Sequence, residues 1–383
     1  MEDGILASSF KLLAAALAAA GLLAACGGGD GADTTPKAKI TSVKVMGDSL
    51  SDSGTFGYKF TVQGSDSEGP FKVWSERVAG NYGVSLCAHF RSADGQSFTA
   101  NSGCTNYAVG DGRINFAEAP TSPFSIMQQI KAAAAAGFTA EDLVLIDGGS
   151  NDAAEAVGAF LAASADQGAS FAQLLGGKID TATLQSLLQQ GQAGMGKAGG
   201  LYMQILAKEL SAAIQGSVLA NGATRVAVLN VPDITLTPRF RMVLAAIAQK
   251  QGSAAAEQLQ AVFSGWVQAF NQQLAASLSG DKRVAVIDFY SEFKNEIANP
   301  AQYKFSNVTT PACPAVGVDD SGLPEYDFPT CTATYLSGHV PVGETSADWW
   351  KNYGFSDSFH PTPYGHQQMG QLAARTLAQA GWL

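Results

Sequence analysis

A serine and a distant aspartate–histidine pair are the residues in this chain whose types and spacing can perform nucleophilic chemistry. Ser49 lies in segment 47–54, after an apolar run at residues 43–46 that predicts a buried strand. A serine on a sharp turn after such a strand is exposed at the sheet edge, where its hydroxyl can attack a carbonyl. Asp357 stands three residues before His360, so its carboxylate can orient the imidazole, which can take the hydroxyl proton. These residues predict a serine esterase.

The chain has four histidines, so alternative bases are few. His339 lies in a loop-rich segment and is the serious rival to His360. His89 falls in a loop that a disulfide would close, and His366 falls inside the predicted last helix, where we expect it to be packed or solvated. His360 precedes that helix on a loop, with Asp357 behind it, and is therefore the predicted base.

The composition limits the class of protein. Of the 383 residues, 46% are hydrophobic and 15% are charged, which suits a large core and excludes a disordered chain. The formal net charge of -10 argues against a nucleic-acid partner, which would favour a basic surface. Separately from the charge, we expect a monomer whose partner is a small-molecule or lipid ester.

Short apolar runs alternate with helical patterns along the chain, which predicts a doubly wound α/β fold. In such sheets ligands bind beyond the carboxyl ends of the strands, where Ser49 and Asn151 both fall. The runs that predict strands buried on both faces of a parallel sheet are residues 43–46, 143–146, 225–231 and 284–287, with a weaker fifth at 84–88.

The helical patterns include a last helix with Thr362 as N-cap and Pro363 at its first position. We expect glycines between residues 191 and 200 to break a long alanine-rich helix, and a second break near Gly252. The other helical stretches are residues 71–80, 124–136, 184–220 and 242–278.

The N-terminus has the pattern of an export signal. Lys11 precedes an apolar run at residues 12–25 that is too short to span a bilayer as a mature helix. The run ends at Cys26 in a sequence that resembles the lipobox of bacterial lipoproteins, although the acidic start departs from a signal's basic beginning. We expect a signal peptide over residues 1–25, a lipid on Cys26 and a flexible tether over 26–39; an ordinary cleaved signal or a buried helix are the alternatives. The protein would be exported and anchored at the cell envelope, with the outer membrane as the expected site, or periplasmic or secreted.

Four further cysteines remain after Cys26, and an even number in an exported chain predicts disulfides. Three pairings are open, of which the sequence-local one is the simplest. A zinc site is the rival, but no Cys-x-x-Cys spacing is present. The simplest pairing joins Cys87 to Cys104 and Cys313 to Cys331.

Residues 300–352 differ from the rest of the chain in composition and pattern, since they carry prolines and two cysteines but little hydrophobic periodicity. We interpret them as an ordered surface insertion, stapled by a disulfide, next to Asp357. The insertion forms a lid or one wall of the substrate site, or else a structural loop over the sheet edge.

Four separated blocks resemble those of the GDSL, or SGNH, family of hydrolases and together span residues 47 to 362. The resemblance implies a flavodoxin-like, three-layer α/β/α sandwich with a central, mainly parallel sheet over residues 40–383. The second block departs from the family pattern at Asp111, where members often have another glycine. The blocks are Gly47-Asp48-Ser49-Leu50 with the extension Ser51-Asp52-Ser53-Gly54, Asn106-Tyr107-Ala108-Val109-Gly110, Gly149-Ser150-Asn151-Asp152 and Asp357-x-x-His360-Pro361-Thr362.

The resemblance assigns roles to these residues. Ser49 is the nucleophile, His360 the general base, and Asp357 fixes the ring tautomer. The Ser49 and Gly110 N–H groups and the Asn151 side chain are the expected oxyanion donors. Asn151 can in addition cap a following helix. No metal or cofactor is implied.

The resemblance leaves the substrate open among lipid, short aryl or alkyl, and acetylated-sugar esters. An acyltransferase that uses the same acyl-serine is one alternative function, and a non-catalytic binding lipoprotein is another. Four aromatic residues are candidates either for an apolar acyl wall or for the core: Phe56, Tyr58, Trp349 and Trp350.

Overall fold

A central four-stranded sheet organises residues 37–383, which are the residues that the computed structural model describes. All four strands run parallel, and Val226 pairs with Val144 on one side and with Val284 on the other. The four predicted strands are therefore confirmed. In both spatial and chain order they are β1 (Ser42–Met46), β2 (Asp142–Ile146), β3 (Val226–Leu229) and β4 (Val284–Ile287).

Eleven α-helices accompany the strands within residues 37–383. They are α1 (Trp74–Asn81), α2 (Ile126–Ala136), α3 (Ser150–Asp166), α4 (Ala169–Gly176), α5 (Thr181–Leu188), α6 (Gly191–Ala213), α7 (Pro238–Gln251), α8 (Ser253–Leu278), α9 (Phe289–Ala298), α10 (Ala333–Gly338) and α11 (Pro363–Gln379).

Successive residues of each strand face opposite apolar cores. In β2, Val144 and Ile146 pack into the core that holds α2 to α8, whereas Leu143 and Leu145 pack into the core that holds α1, α9 and α11. Helices thus cover both faces of the sheet. The chain is a three-layer α/β/α sandwich, as the sequence predicts.

The weaker fifth strand at residues 84–88 is not formed. Thr105 and Tyr107 already occupy the edge beside β1, since the Val45 N–H donates to the Thr105 carbonyl at 3.0 Å and the Tyr107 N–H donates back to Val45 at 2.7 Å. Segment 84–88 is left with a single bridge, between Ala88 and Asn106. The apolar run therefore packs beside the sheet without joining it.

The predicted break between residues 191 and 200 falls at the start of that range, since α5 ends at Leu188 and α6 begins at Gly191, whose φ is 66°. Helix α6 then continues unbroken through its later glycines. A Cβ on Gly199 would lie 2.3 Å from the Trp266 ring of α8, and the Trp266 indole N–H donates to the Gly196 carbonyl at 2.6 Å. The glycines let two helices approach closely. The second predicted break is confirmed, since α7 ends at Gln251 and α8 begins at Ser253.

Segment 300–352 folds around its own small core, into which Cys313 and Cys331 pack. The structure contains both sequence-local disulfides, Cys87–Cys104 and Cys313–Cys331. The Cys313 N–H donates to the Ser356 carbonyl at 2.7 Å, so the second disulfide adjoins the loop that bears Asp357. The insertion is thereby ordered and tied to the predicted site.

The start of α11 confirms its predicted cap. The Thr362 hydroxyl accepts the Gly365 N–H at 3.1 Å, and Pro363 opens the helix. The helix expected after Asn151 is present as α3. Helices α4, α9 and α10 were not predicted, since each has ten residues or fewer. Cys26 and the predicted signal peptide lie outside the described residues, as does most of the tether.

Candidate active site

The turn after β1 presents Ser49 at the carboxyl edge of the sheet. The Ser51 and Asp52 N–H groups both donate to the Asp48 carbonyl at 3.1 Å, which makes the turn tight. Gly47 is required at its start, because a Cβ there would lie 2.0 Å from an Asp147 carboxylate oxygen. Ser49 is only 3% exposed, so its hydroxyl faces a protected environment.

The side chains of Ser49, His360 and Asp357 form one hydrogen-bonded chain. The Ser49 Oγ and the His360 Nε2 are 2.8 Å apart, and the His360 Nδ1 is 2.8 Å from the Asp357 Oδ2. The backbone supports this geometry, since the Phe359 and His360 N–H groups donate to the Asp357 Oδ1 at 2.8 and 2.5 Å. The arrangement suits transfer of the serine proton to the ring.

Asp357 is buried yet remains the negative member of the chain. Burial by itself raises the pKa of the Asp357 carboxyl, but the charge and hydrogen bonds of His360 and the Phe359 N–H bond outweigh it and lower the pKa below its ordinary value. An ionised Asp357 fixes the imidazole with its Nε2 free to accept from Ser49.

The other histidines lie elsewhere. His339 is exposed, with its ring stacked on Tyr335 at 4.0 Å. His366 is fully buried in α11, and burial holds the pKa of its ring well below the usual value. His89 packs against Tyr107. Among the four histidines, only His360 contacts Ser49.

Asn151 lies in the first turn of α3 and faces the same cleft as Ser49. Its side-chain amide donates to the Gly112 carbonyl at 3.0 Å, which fixes the amide at the cleft that Ser49 also lines. The helix begins at Ser150 with Gly149 as its N-cap, so Asn151 is not the cap.

The Gly110 N–H, an expected oxyanion donor, contacts a buried carboxylate. This N–H donates to the buried Asp52 Oδ2 at 2.8 Å, and a Cβ on Gly110 would lie 2.1 Å from the Phe60 ring. Burial is the largest influence on the Asp52 pKa, which lies at about 6 even with three backbone N–H bonds to its carboxylate. The Gly110 N–H therefore already donates a structural hydrogen bond to Asp52.

Asp111 directly follows Gly110 in the chain. It adopts a left-handed conformation with φ of 63°, and it lines the cleft together with Ser49 and Asn151. Within residues 37–383, no acceptor pairs with the Asp111 N–H. The positive φ explains why a glycine commonly occupies this position, since Asp tolerates it only at a cost.

Two cavities meet at Ser49. An open cleft of about 920 Å³ extends over α3 and the insertion. A smaller cavity of about 30 Å³ lies on the other side, toward the ends of β3 and β4. Ser49, Phe359 and His360 line both.

The predicted aromatic candidates divide into two groups. Trp349 and Trp350 are buried in the core of the insertion and do not line the cleft. Phe56 and Tyr58 belong to a partly exposed aromatic cluster that reaches the site through Phe60, whose ring centroid lies 5.3 Å from that of His360.

Sequence reasoning missed the charged residues of the cleft. Arg113 and Arg239 carry no motif, so only the tertiary structure brings them to the site. Asp147 directly follows β2, and Asp48 stands two residues after the end of β1. Carboxyl residues at the ends of two neighbouring strands were a usable signal for a carboxyl pair.

Comparison with known proteins gives one family. The family described as GDSL-like Lipase/Acylhydrolase matches residues 43–373, which include every block of the site. A search of curated proteins found no match. Among residues 37–383, no helix is long and apolar enough to cross a bilayer.

Proposed function

The chain belongs to the GDSL-like lipase/acylhydrolase family, whose members are hydrolases of ester type, and on this premise we propose that it is a serine esterase. It hydrolyses carboxylic esters through an acyl-serine intermediate. The observation that carries the proposal is the hydrogen-bonded chain from the Ser49 Oγ through His360 to Asp357, with both contacts at 2.8 Å.

The chemistry follows from that geometry. The Ser49 Oγ attacks the ester carbonyl while the His360 Nε2 takes its proton, and the Asp357 carboxylate stabilises the resulting imidazolium. The imidazolium then returns the proton to the leaving alcohol, which leaves the acyl group on Ser49. In the second half-reaction His360 deprotonates water, which attacks the acyl-serine and releases the acid. The 920 Å³ cleft has ample room for that water.

Three donors serve the oxyanion of the tetrahedral intermediate: the Asn151 amide and the Ser49 and Asp111 N–H groups. Asp111 replaces Gly110 in this role because the Gly110 N–H is bound to Asp52. Removal of one such donor typically costs about 10²–10³ in kcat.

Turnover of p-nitrophenyl acetate by single variants tests the proposal. Ser49→Ala and His360→Ala are each expected to lower kcat by about 10⁴ or more. His339→Ala is the matched control and is expected to retain wild-type kcat. A wild-type kcat in Ser49→Ala, or a loss of kcat confined to His339→Ala, would overturn the assignment.

Export with lipid attachment at Cys26 is a separate part of the proposal. The two disulfides support export, because disulfides persist in oxidising compartments. We expect the wild type in the membrane fraction labelled by an alkyne fatty acid, and Cys26→Ser unlabelled. Equal labelling of both proteins would exclude Cys26 as the attachment point.

A further inference from the structure

The two cavities that meet at Ser49 differ in size and chemistry. One holds about 30 Å³ and the other about 920 Å³. An ester has two halves, an acyl group and an alcohol, and both must pass the nucleophile. The difference in size between the cavities therefore indicates which of them binds the acyl group and which binds the alcohol.

The smaller cavity has mainly apolar walls. Its polar lining residues are Asp48, Ser49 and His360 of the nucleophile turn and the base, together with Ser150 and Thr237. A water-sized site needs at least ~10–15 Å³ of such volume, so 30 Å³ holds about two heavy atoms. The apolar walls are formed by Leu50, Pro232, Ile234, Phe289, Phe355 and Phe359.

The open cleft has the opposite character, since charged groups of both signs line it. Arg239 and Glu325 have no ion-pair partner within residues 37–383. Arg239 also stands in the first turn of α7, where the helix dipole disfavours a cation, so helix stability does not explain it. The charged lining residues besides Asp357 are Asp111, Arg113, Glu155, Arg239, Asp319 and Glu325.

The order in which the two halves of the ester leave decides which cavity each half occupies. The alcohol leaves first and must reach solvent, so it occupies the open cleft. The acyl group stays bonded to Ser49 until water attacks, so it can occupy the smaller cavity. Resting on the esterase function, we propose that the substrate is a short acyl ester, acetyl or propionyl, of a large hydroxyl-rich alcohol.

The aromatic cluster beside His360 offers a competing place for the acyl group. Phe60 and Phe328 approach the His360 ring with centroids 5.3 and 5.5 Å away, and Phe56 and Tyr58 extend the surface outward. A long acyl chain would lie on this aromatic cluster and leave the smaller cavity empty. The two arrangements predict opposite dependences on acyl length.

The acyl half is tested with p-nitrophenyl esters of two, three, four, eight and twelve carbons. We expect kcat/KM to be highest for two or three carbons and to fall about ten-fold or more for each methylene that no longer fits. A maximum at eight or twelve carbons in an active enzyme would overturn the short-acyl assignment and favour the aromatic cluster. Failure of every ester, with no fluorophosphonate labelling, would instead overturn the esterase function itself.

Enlargement of the smaller cavity is the sharper test. Ile234→Ala removes part of its wall. This variant should raise the kcat/KM for the four-carbon acyl ester relative to that for the two-carbon acyl ester about ten-fold. The milder Ile234→Val should move the ratio in the same direction if the alanine variant does not fold. Ile130→Ala is the matched control, because Ile130 is equally buried in the same core but lines neither cavity. An equal ratio in all four proteins would contradict the assignment.

The alcohol half is tested with a triacetylated methyl xyloside against p-nitrophenyl acetate. The double variant Arg239→Gln/Glu325→Gln should lower the ratio of kcat/KM for the sugar ester over the aryl ester about ten-fold. Arg241→Gln is the control, since Arg241 lies on the same helix but does not line the cleft. An unchanged ratio in the double variant would remove the cleft from alcohol recognition.

Discussion

The Asp48 N–H donates to the Asp147 Oδ2 at 3.2 Å, and this contact brings two buried carboxyl groups together directly beneath the nucleophile turn. Asp147 also accepts the Ser51 hydroxyl, so its oxygens face donors only. The Asp48 Oδ1 accepts the Leu50 N–H at 2.9 Å, whereas its Oδ2 has no donor. Burial, and then the neighbouring carboxylate, raises the pKa of Asp48 well above its usual value. Burial also raises the pKa of Asp147, to about 6, and Asp48 is the carboxyl of the pair that we expect to hold the proton.

Asp48→Asn is expected to preserve this arrangement at every pH. The amide can accept from Leu50 and donate toward Asp147, as the protonated acid does. A raised folded-state pKa stabilises the protein below the unfolded pKa, and that contribution is lost as pH rises through the folded pKa. Urea unfolding at pH 5 and pH 9 should therefore show a smaller loss of stability in Asp48→Asn than in the wild type.

Asp147→Asn is the matched control for the carboxyl pair. Its amide would place an N–H against the donors of Asp48 and Ser51, so we expect lower stability than in the wild type at pH 5. Equal pH dependence in Asp48→Asn and wild type would show that Asp48 is not the proton carrier.

Asp111→Gly should raise both the stability and the kcat of the protein. Glycine adopts the left-handed conformation freely, which removes strain of up to about 1 kcal/mol. Loss of the carboxylate also removes a negative charge from the neighbourhood of the oxyanion, so kcat should rise severalfold. Steady-state kinetics and thermal unfolding measure the two effects.

Asp111→Asn separates the two causes. It removes the charge but keeps a side chain that tolerates the left-handed region, so kcat should rise while the unfolding temperature stays near that of the wild type. A fall in kcat for both variants would mean that the Asp111 carboxylate assists the reaction.

The two disulfides should differ in their importance for activity. Each closes a loop of similar length, with sequence separations of 17 and 18, so loss of either should lower the unfolding free energy by about 3 kcal/mol. Only Cys313–Cys331 adjoins the Asp357 loop, through the Cys313 N–H bond to Ser356. Cys313→Ser/Cys331→Ser should thus lower kcat in the folded protein more than Cys87→Ser/Cys104→Ser does. Equal kcat in the two double variants would exclude a link from the insertion to Asp357.

Glu296 of α9, which lies away from the site, makes the free energy of unfolding depend on pH. Burial in an apolar surrounding, together with the nearby Glu292, raises the pKa of Glu296 to about 8, and its Oε1 has no partner. The neutral acid therefore favours folding below pH ~4.5, and this contribution is lost as pH rises toward 8. Glu296→Gln should be more stable than the wild type at pH 8.5 by roughly a few kcal/mol in urea unfolding.

Glu292→Gln is the control for that measurement, since Glu292 pairs with Arg375 at 2.5 Å and is less buried. It should flatten the curve of stability against pH less than Glu296→Gln does, because burial, and not the Glu292 charge, is the larger cause of the raised Glu296 pKa. A Glu296→Gln variant less stable than the wild type at pH 8.5 would contradict a buried, unpaired carboxyl.

The strands and the triad were predictable because their signals are local. Each strand is a short apolar run, and Ser49, Asp357 and His360 occupy blocks that each match the family. The cap at Thr362 is likewise decided within four residues.

The errors arose where the answer depends on distant partners. The glycines of α6 looked like helix breakers because Trp266, which needs the space they leave, lies far along the chain. The Gly110 N–H looked free because Asp52, which binds it, is 58 residues away. Periodicity cannot show such pairings, since both depend on how separate elements pack.

The most direct test of the account is the location of a fluorophosphonate adduct in the native protein. Peptide mass spectrometry of labelled wild type should find the adduct on Ser49, and His360→Ala should label far more slowly because the hydroxyl has lost its base. An adduct on a different residue, or no adduct in folded and otherwise intact protein, would contradict the central claim that Ser49 is an activated nucleophile.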